Sequence, residues 1–385
     1  MTQRFLVLDS FRGLCALSVV VFHLHVVGTF TESAFFRGAS LLVEFFFVLS
    51  GFVLAHGYAF KEISFVQFTI KRTFRLFPLH IFMLMVFIVF EFGKLAAFEL
   101  GGLSFNNPPF TGPGDPLLIL PNLFLVHAWS SRTNALAFDY PSWSISIEYY
   151  TYFIFFISVF YLKKYKILAW TSISLTMLLF ITMKTEFPIN DIQRGLSCFF
   201  AGALTYSIYS CCKHLKVSYL CASLLEALLL ITAIYTISSN IVYKTILETF
   251  LFCIIILVYS FEAGVISSIL KGSFFTRLGA ISYSIYMTHA AIIFILFSLL
   301  MILQKITGLN LTPTIDEVRF ITTGNEYLNN VLIFVVLATV VFVSLFTNKY
   351  IEKAWQRKAA IIVSKVRDGA SHAPLEFITP ARSLQ

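Results

Sequence analysis

Long apolar runs dominate the chain, and short polar connections separate them. About 20 consecutive apolar residues suffice for an α-helix to cross the hydrocarbon core of a bilayer. The runs are continuous, whereas a transmembrane β-barrel would show short segments of alternating hydrophobicity. The pattern therefore predicts an all-α polytopic membrane protein with about ten transmembrane helices. The predicted spans are 5–28, 39–60, 77–99, 144–162, 166–184, 194–211, 217–237, 244–262, 279–303 and 328–347.

The composition excludes a water-soluble protein. Of the 385 residues, 58% are hydrophobic and 12% are charged, and the mean hydropathy is +0.83. A soluble domain carries roughly 25% charged residues, which its hydrated surface requires. The 44 phenylalanines and the low charge also argue against disorder, because disordered chains are polar and poor in aromatic residues.

Basic residues are distributed unequally between the alternate connections. The connections on one side, together with Arg4, carry 12 Lys and Arg residues, whereas those on the other side carry 6. Cytoplasmic loops of membrane proteins retain positive charge, so this bias predicts that both termini are cytoplasmic. It also accounts for the net charge of +8 without a nucleic-acid partner. The predicted organisation is a transmembrane domain over 1–353 and a polar cytoplasmic tail over 354–385.

The longest outer connection, about 100–143, is rich in Pro, Gly and Asn. Its one short apolar stretch, Leu117–Ala128, favours an interfacial or re-entrant helix. The six cysteines show no spacing typical of a zinc site, so no metal site is expected.

Ionisable residues are rare inside the apolar runs and are costly there, so each is a candidate for function. The first run contains Arg12 and His23, which are 11 residues apart. Eleven residues of α-helix turn through about 1100°, so both side chains lie on one face, about 16 Å apart along the axis. That face presents a permanent cation near the cytoplasm and a titratable base near the outer side. The alternative is a snorkelling arginine and a hydrogen-bonded core histidine.

Arg72 and Arg75 lie one helical turn apart in an inner connection. Two guanidinium groups on one helix face suit a phosphate or a pyrophosphate. The alternative is a positively charged anchor at the inner headgroups.

Glu148 lies about six residues below the outer surface in the fourth span, and His23 lies about five residues below it in the first. Their depths therefore agree within a few ångströms. A carboxylate beside an imidazole fixes its tautomer and stabilises its protonated form, so the two residues are a candidate base and its orienting acid. The alternative is a buried structural ion pair.

Other polar residues in or beside the apolar runs are candidates for lining a site. In the ninth span a polar residue recurs every three positions, at Tyr283, Tyr286 and His289. This stripe either lines a channel or joins helices through hydrogen bonds. Arg194 is a further buried charge. The candidates are Glu44, Ser146, Tyr152, Tyr283, Tyr286 and His289.

Five motifs follow one another along the chain. They are Arg12 and His23 with ten residues between them, Phe46–Phe52, Arg72 and Arg75 followed by Phe77-Pro78, Ser142–Glu148, and Gly279–His289. In this order they resemble the integral-membrane acyltransferase-3 family, which includes bacterial O-antigen and exopolysaccharide O-acyltransferases. The closing 350–353 also fits, although Ala354 stands where the family usually has Pro. The chain resembles the stand-alone form of the family, which lacks a C-terminal periplasmic domain.

The resemblance implies a membrane-bound O-acyltransferase of the bacterial inner membrane. The expected donor is cytoplasmic acyl-CoA, used as a substrate, and the expected acyl group is acetyl. The expected acceptor is a hydroxyl group of a cell-surface polysaccharide or of its lipid-linked precursor. No permanently bound cofactor is expected, and the partners are these two substrates and membrane lipid. The alternatives are a transporter or flippase of a polysaccharide precursor, and an acyltransferase acting on lipid, peptidoglycan or a small molecule.

The resemblance also implies roles for single residues. Arg12, Arg72 and Arg75 would hold the phosphates of acyl-CoA. His23 would act as general base, and Glu148 would orient it. The group that stabilises the oxyanion stays open among Ser146, Tyr152 and Tyr286.

Overall fold

The computed structural model describes residues 4–62, 64–103 and 105–371, and nearly all of its regular structure is α-helical. The predicted all-α fold class is therefore confirmed. Two short strands, β1 Thr314–Ile315 and β2 Val318–Arg319, pair antiparallel. The helices are α1 Leu6–His23, α2 Ala34–Gly38, α3 Leu42–Tyr58, α4 Phe65–Glu99, α5 Ile119–Leu123, α6 Ser142–Leu162, α7 Lys166–Met183, α8 Asn190–Cys212, α9 Tyr219–Ser238, α10 Lys244–Tyr259, α11 Val265–Leu270, α12 Ser273–Ala280, α13 Ser282–Thr307, α14 Glu326–Thr347 and α15 Lys353–Ser371.

Each of the ten predicted spans overlaps one long helix for most of its length, although several of these helices begin before or end after the predicted bounds. Within the described ranges, eight segments are long and apolar enough to cross a membrane. One of these segments, Ser142–Met183, comprises both α6 and α7, and the 16-residue α10 is not among them. The helices support an integral membrane protein, whereas the number of ten spans and the cytoplasmic termini stay predictions.

α3 and α8 pack backbone against backbone. A Cβ atom on Gly51 of α3 would overlap the Phe199 carbonyl oxygen of α8, and a Cβ atom on Gly202 of α8 would overlap the Val48 carbonyl oxygen of α3. Small residues permit such close approach in membrane proteins, where helices associate through tight packing. The glycine of the Phe46–Phe52 motif therefore has a structural role.

α1 lies inside the molecule, in contact with α3, α12 and α13. It contributes Leu8 to one apolar cluster of the core and Val20 to the other. A Cβ atom on Gly279 would overlap the Asp9 carbonyl oxygen, so the end of α12 also approaches the α1 backbone directly. This packing fixes the direction of the polar face of α1.

The outer connection folds back on the protein. Within the predicted stretch 117–128, helical structure is limited to the end of the 3₁₀ turn Pro116–Leu118 and to α5, which contains Pro121. Leu125 then adopts a positive φ of 57°, which ends regular helix. Its side chain is fully buried, and its carbonyl oxygen accepts a 2.5 Å hydrogen bond from Ser146. The expected helix is therefore a single short turn, α5, which packs on α4, and the residue Leu125 after it bonds to α6.

The chain stays helical beyond the last predicted span. α14 continues through a π-helical turn, Asn348–Glu352, into α15. α15 packs on α4, and the ring centres of Trp355 and Phe74 are 5.8 Å apart. The predicted polar tail 354–385 thus begins as a docked helix, and its residues 372–385 lie outside the described residues.

Candidate active site

Three cavities follow one another along the polar face of α1. An inner cavity of about 540 Å³ is lined in part by Arg12 and Arg72. A narrow middle cavity of about 40 Å³ is lined by Arg12, Glu148 and Tyr286. An outer cavity of about 550 Å³ is lined by Tyr286 and His23. Arg12 borders the first two cavities and Tyr286 borders the last two, so the three cavities form a series.

Arg72 lies in an aromatic cage at the inner cavity. Its guanidinium carbon lies 5.3, 5.9 and 5.6 Å from the ring centres of Tyr58, Phe68 and Tyr152. One Nη atom donates a 3.0 Å hydrogen bond to the Tyr58 hydroxyl. Among the described residues no carboxylate forms an ion pair with Arg72. Together with Lys71 on the same wall, Arg72 supplies positive charge that a bound anion can balance.

Arg12 and Arg75 lie among carboxylates instead. Both guanidinium groups interact electrostatically with Glu148, and Arg75 also interacts with Glu352. The two arginines are close enough to repel each other. The structure therefore brings the three predicted arginines into one region but divides them. Arg72 opens to the inner cavity, whereas Arg12 and Arg75 share acidic neighbours.

Glu148 is bound by two hydroxyl groups and not by His23. Ser50 and Tyr152 both donate hydrogen bonds to Glu148 Oε1, the second at 2.5 Å. No hydrogen bond or ion pair among the described residues joins Glu148 to His23. The expectation rested on equal depth, but depth does not determine the direction in which each side chain leaves its helix. The structure thus differs from the expected pair and places Glu148 beside the arginines, at the middle cavity.

His23 contacts His289 of α13. His23 Nδ1 lies 2.9 Å from the Val19 carbonyl oxygen and 3.3 Å from His289 Nε2. His289 Nδ1 lies 2.6 Å from the Tyr286 carbonyl oxygen. A carbonyl oxygen only accepts hydrogen bonds, so in the neutral rings both Nδ1 atoms carry the proton. His289 Nε2 then accepts from His23 Nδ1, and His23 Nε2, which no described residue bonds, keeps its lone pair at the outer cavity.

Arg194 places a guanidinium group in a fixed position at the outer cavity. Its Nε donates a 2.9 Å hydrogen bond to Glu44, which is fully buried. Its guanidinium carbon lies 5.6 Å from the Trp143 ring centre. Since Arg194 and His23 line the same cavity, negative charge that develops beside His23 would meet a preorganised guanidinium.

A buried polar cluster lies next to these cavities, largely in the outer connection. The His127 ring stacks at 6.4 Å on the ring of His80, and its Nε2 lies 3.1 Å from Ser142 Oγ. Burial, helped by the neighbouring His80, lowers the pKa of His127 to about 3. Burial also raises the pKa of Asp139 well above its usual range, and neither of its carboxyl oxygens has a hydrogen-bond partner among the described residues. In the described part of the chain, no group of three or more His, Cys, Asp or Glu side chains could hold a metal ion.

A match to one known protein family covers most of the chain. The sequence profile of the acyltransferase-3 family, described as an acyltransferase domain, matches residues 5–349. The chain belongs to the acyltransferase-3 family. This assignment agrees with the five motifs that carried the resemblance.

Two relatives of known sequence match parts of this acyltransferase-3 chain. Acyltransferase MdmB of Streptomyces mycarofaciens is 34% identical over 119 residues, which are 30% of this chain and 27% of that protein. Protein 2 in picA locus of Rhizobium radiobacter is 33% identical over 153 residues, which are 33% of this chain and 75% of that protein. The match thus spans about a quarter of the length of the first relative. No solved structure matches the chain.

The serines of the acyltransferase-3 motif Ser142–Glu148 bond to different segments. Ser144 Oγ lies 2.8 Å from the Tyr286 hydroxyl, at the boundary of the middle and outer cavities. Ser146 donates to the Leu125 carbonyl oxygen, is fully buried and lines none of the three cavities. Ser146, a predicted lining residue, therefore connects the outer connection to α6.

The predicted stripe on α13 both lines the cavities and joins helices. Tyr283 lines the middle cavity and donates a 2.7 Å hydrogen bond to the Leu76 carbonyl oxygen of α4. Tyr286 borders two cavities, and His289 contacts His23. The two interpretations of this stripe are therefore compatible, because each tyrosine has an apolar body and a polar end.

The sequence prediction missed three residues of the site. Ser50 donates to the partly buried carboxylate of Glu148, although its motif had been noted only as part of the acyltransferase-3 resemblance. Glu352 accepts a hydrogen bond from Ser284 and lies near the arginines, because the π-helical turn carries it inward. The Tyr140 ring centre lies 4.6 Å from that of His23. Nothing in its loop sequence indicated that contact.

Proposed function

We propose that this protein is a membrane-bound O-acyltransferase of the bacterial inner membrane. It transfers an acyl group, expected to be acetyl, from cytoplasmic acyl-CoA to a hydroxyl group of a cell-surface polysaccharide or its lipid-linked precursor. The observation that carries the proposal is the series of inner, middle and outer cavities, which leads from the arginines to His23. Membership of a family of acyltransferases supports the reaction class.

The donor enters at the inner cavity. Arg72 and Lys71 bind the phosphates of acyl-CoA, because guanidinium and ammonium groups without carboxylate partners favour anions. The uncharged pantetheine arm extends past Arg12 through the narrow middle cavity, whose walls include Phe46 and Phe47. The distance along α1 from Arg12 to His23 is about 16 Å, which this arm spans.

The transfer takes place at the outer cavity. His23 Nε2 accepts the proton of the acceptor hydroxyl as its oxygen attacks the thioester carbonyl carbon. The new C–O bond forms, the C–S bond breaks, and the His23 imidazolium returns the proton to the departing thiolate. A positioned base contributes about 10²–10⁴-fold, because an alcohol is almost fully protonated at neutral pH. His289 orients the ring of His23, and Arg194 stabilises the negative charge on the carbonyl oxygen.

The test uses membrane vesicles that contain the protein, radiolabelled acetyl-CoA and defined oligosaccharides. His23→Ala is expected to lower the transfer rate by about 10²–10⁴-fold while the protein stays inserted. His214→Ala is the matched control, because it removes an exposed histidine between α8 and α9. Normal transfer by His23→Ala would reject His23 as the base, and no transfer by the unmodified protein to any sugar hydroxyl would reject the function.

The donor site is tested by a second pair of variants. Arg72→Ala is expected to raise KM for acetyl-CoA by about 10- to 100-fold, because the phosphates lose a charged partner. Arg357→Ala removes an exposed arginine of α15 and should leave KM unchanged. An unchanged KM in Arg72→Ala would make this arginine a structural residue of the aromatic cage.

A further inference from the structure

A fourth cavity lies beside the outer cavity and shares the wall formed by Tyr140. We call it the lateral cavity; its volume is about 420 Å³. The ring centre of Tyr140 lies 4.6 Å from that of His23 and 5.7 Å from that of His289. A molecule bound in the lateral cavity would therefore lie next to the proposed base, separated from it by the Tyr140 ring.

Arg319 is the unbalanced charge of the lateral cavity. Its Nη1 donates a 2.9 Å hydrogen bond to the thioether sulfur of Met301, which is a weak acceptor. Its Nε is buried and has no hydrogen-bond partner, and no carboxylate pairs with it in the described part of the chain. A buried guanidinium donor without an acceptor is costly, so the site favours a ligand that supplies one.

Lys94, the other permanent cation at this cavity, is already balanced. Its Nζ donates to both carboxylate oxygens of Glu91, at 2.8 and 3.1 Å. Glu91 Oε2 in turn accepts from the Phe110 backbone amide, which fixes the pair at the edge of the outer connection. The attraction for an anion is therefore concentrated at Arg319.

The remaining walls suit a sugar ring. Phe294 and Phe297 of α13 present aromatic rings, against which the C–H faces of a sugar can pack. Asn106 and Asn107 of the outer connection are exposed amides that both donate and accept hydrogen bonds, as sugar hydroxyl groups require. The cavity thus combines aromatic walls, amide groups and one free guanidinium.

We infer that the lateral cavity is the acceptor subsite for an anionic sugar unit. The carboxylate or phosphate of this unit binds Arg319, and a neighbouring hydroxyl group extends past Tyr140 to His23 Nε2. This inference rests on the proposed O-acyltransferase function and narrows its acceptor to sugars that carry an acidic group. Neutral sugars are rejected, because they would enter the cavity and leave the Arg319 guanidinium unpaired.

The test is equilibrium binding of three disaccharides to the purified protein in detergent, one neutral, one with a uronic acid and one with a sugar phosphate. The unmodified protein is expected to bind one or both acidic disaccharides about 10- to 100-fold more tightly than the neutral one. The two acidic ligands distinguish a carboxylate from a phosphate. Arg319→Gln should abolish the preference, and Arg319→Lys should retain part of it, because a point charge replaces the bidentate fork.

Two controls separate the site from general charge and from misfolding. Arg132→Gln removes an exposed arginine of the outer connection that carries Asn106 and Asn107, and it should keep the preference. Ser298→Phe fills the lateral cavity from α13 and should weaken binding of the acidic disaccharides without any change at Arg319. Equal binding of acidic and neutral disaccharides by the unmodified protein would overturn the inference, and so would a preference that survives in Arg319→Gln.

The binding experiment is independent of catalysis. If the binding preference is found but no acetyl transfer occurs, the O-acyltransferase function fails while the anionic sugar site stands. If transfer occurs equally to neutral and acidic sugars, the inference fails while the function stands.

Discussion

His23 Nδ1 and His289 Nε2 lie 3.3 Å apart, so a histidine of α13, and not the carboxylate of α6, is the neighbour that orients the proposed base. The carbonyl oxygens of Val19 and Tyr286 fix the tautomers of His23 and His289, because a carbonyl oxygen can only accept a hydrogen bond. The arrangement leaves His23 Nε2 as the free base at the outer cavity.

His289→Ala is expected to lower kcat for acyl transfer by about 10- to 100-fold, because His23 loses the acceptor that orients it. KM for acyl-CoA should stay unchanged, since His289 does not line the inner cavity. His289→Gln should restore part of the rate, because its side-chain oxygen can accept the same hydrogen bond. Steady-state kinetics on reconstituted protein give both parameters. A raised KM with normal kcat would exclude the orienting role.

Glu148→Ala is expected to remove a partner of the arginines and to leave the orientation of the proposed base, His23, unchanged. It removes the carboxylate that Arg12 and Arg75 share and leaves the Ser50 and Tyr152 hydroxyl groups without their acceptor. The expected cost is about 3 kcal/mol of unfolding free energy, because two partly buried guanidinium groups lose their carboxylate partner. Thermal unfolding in detergent measures this loss.

Glu148→Gln is the matched control for that experiment. It keeps a side-chain oxygen that can accept from a hydroxyl group but removes the charge. If the two variants unfold at the same temperature, the charge of Glu148 is what stabilises the folded protein. If Glu148→Gln unfolds like the unmodified protein, the hydrogen bonds to Glu148 are what stabilise it. Normal stability of both variants would contradict the prediction.

Gly51→Ala is expected to destabilise the protein by more than about 3 kcal/mol, because the new Cβ overlaps the Phe199 carbonyl oxygen and separates α3 from α8. Gly57→Ala on the same helix is the control, since a Cβ there meets nothing within 4 Å. It should be neutral or stabilising by up to about 1 kcal/mol. Unfolding temperatures compare the two variants, and equal effects would refute the close packing.

Acid should destabilise the protein through His127. Its pKa is about 3 in the folded protein, against about 6.5 in the unfolded chain. The unfolded state therefore binds a proton that the folded state does not, and stability falls as the pH drops from about 6.5 towards 3. Unfolding temperatures measured from pH 7 to pH 4 should fall less steeply for His127→Gln. A slope equal to that of the unmodified protein would assign the acid sensitivity to other groups.

The sequence predicted the arginines of the inner region and the polar stripe of α13 better than it predicted the pair around the base. Helical spacing placed Arg72 beside Arg75, the family resemblance added Arg12, and the structure brings the three into one region. Glu148 was assigned to His23 from depth alone, and the structure gives it other partners. Spacing along one helix is a local property, whereas a contact between two helices depends on how each is rotated.

The residue order alone determines the length of each apolar run. Each run becomes a helix, because a backbone that spans a membrane must satisfy its own hydrogen bonds. The all-α class and the approximate helix positions therefore followed from residue order alone. The cavities, the His23–His289 contact and the unpaired guanidinium of Arg319 did not, because each is formed by segments far apart in sequence. Helix packing, set by close contacts such as that of Gly51 with Phe199, decides which polar groups meet.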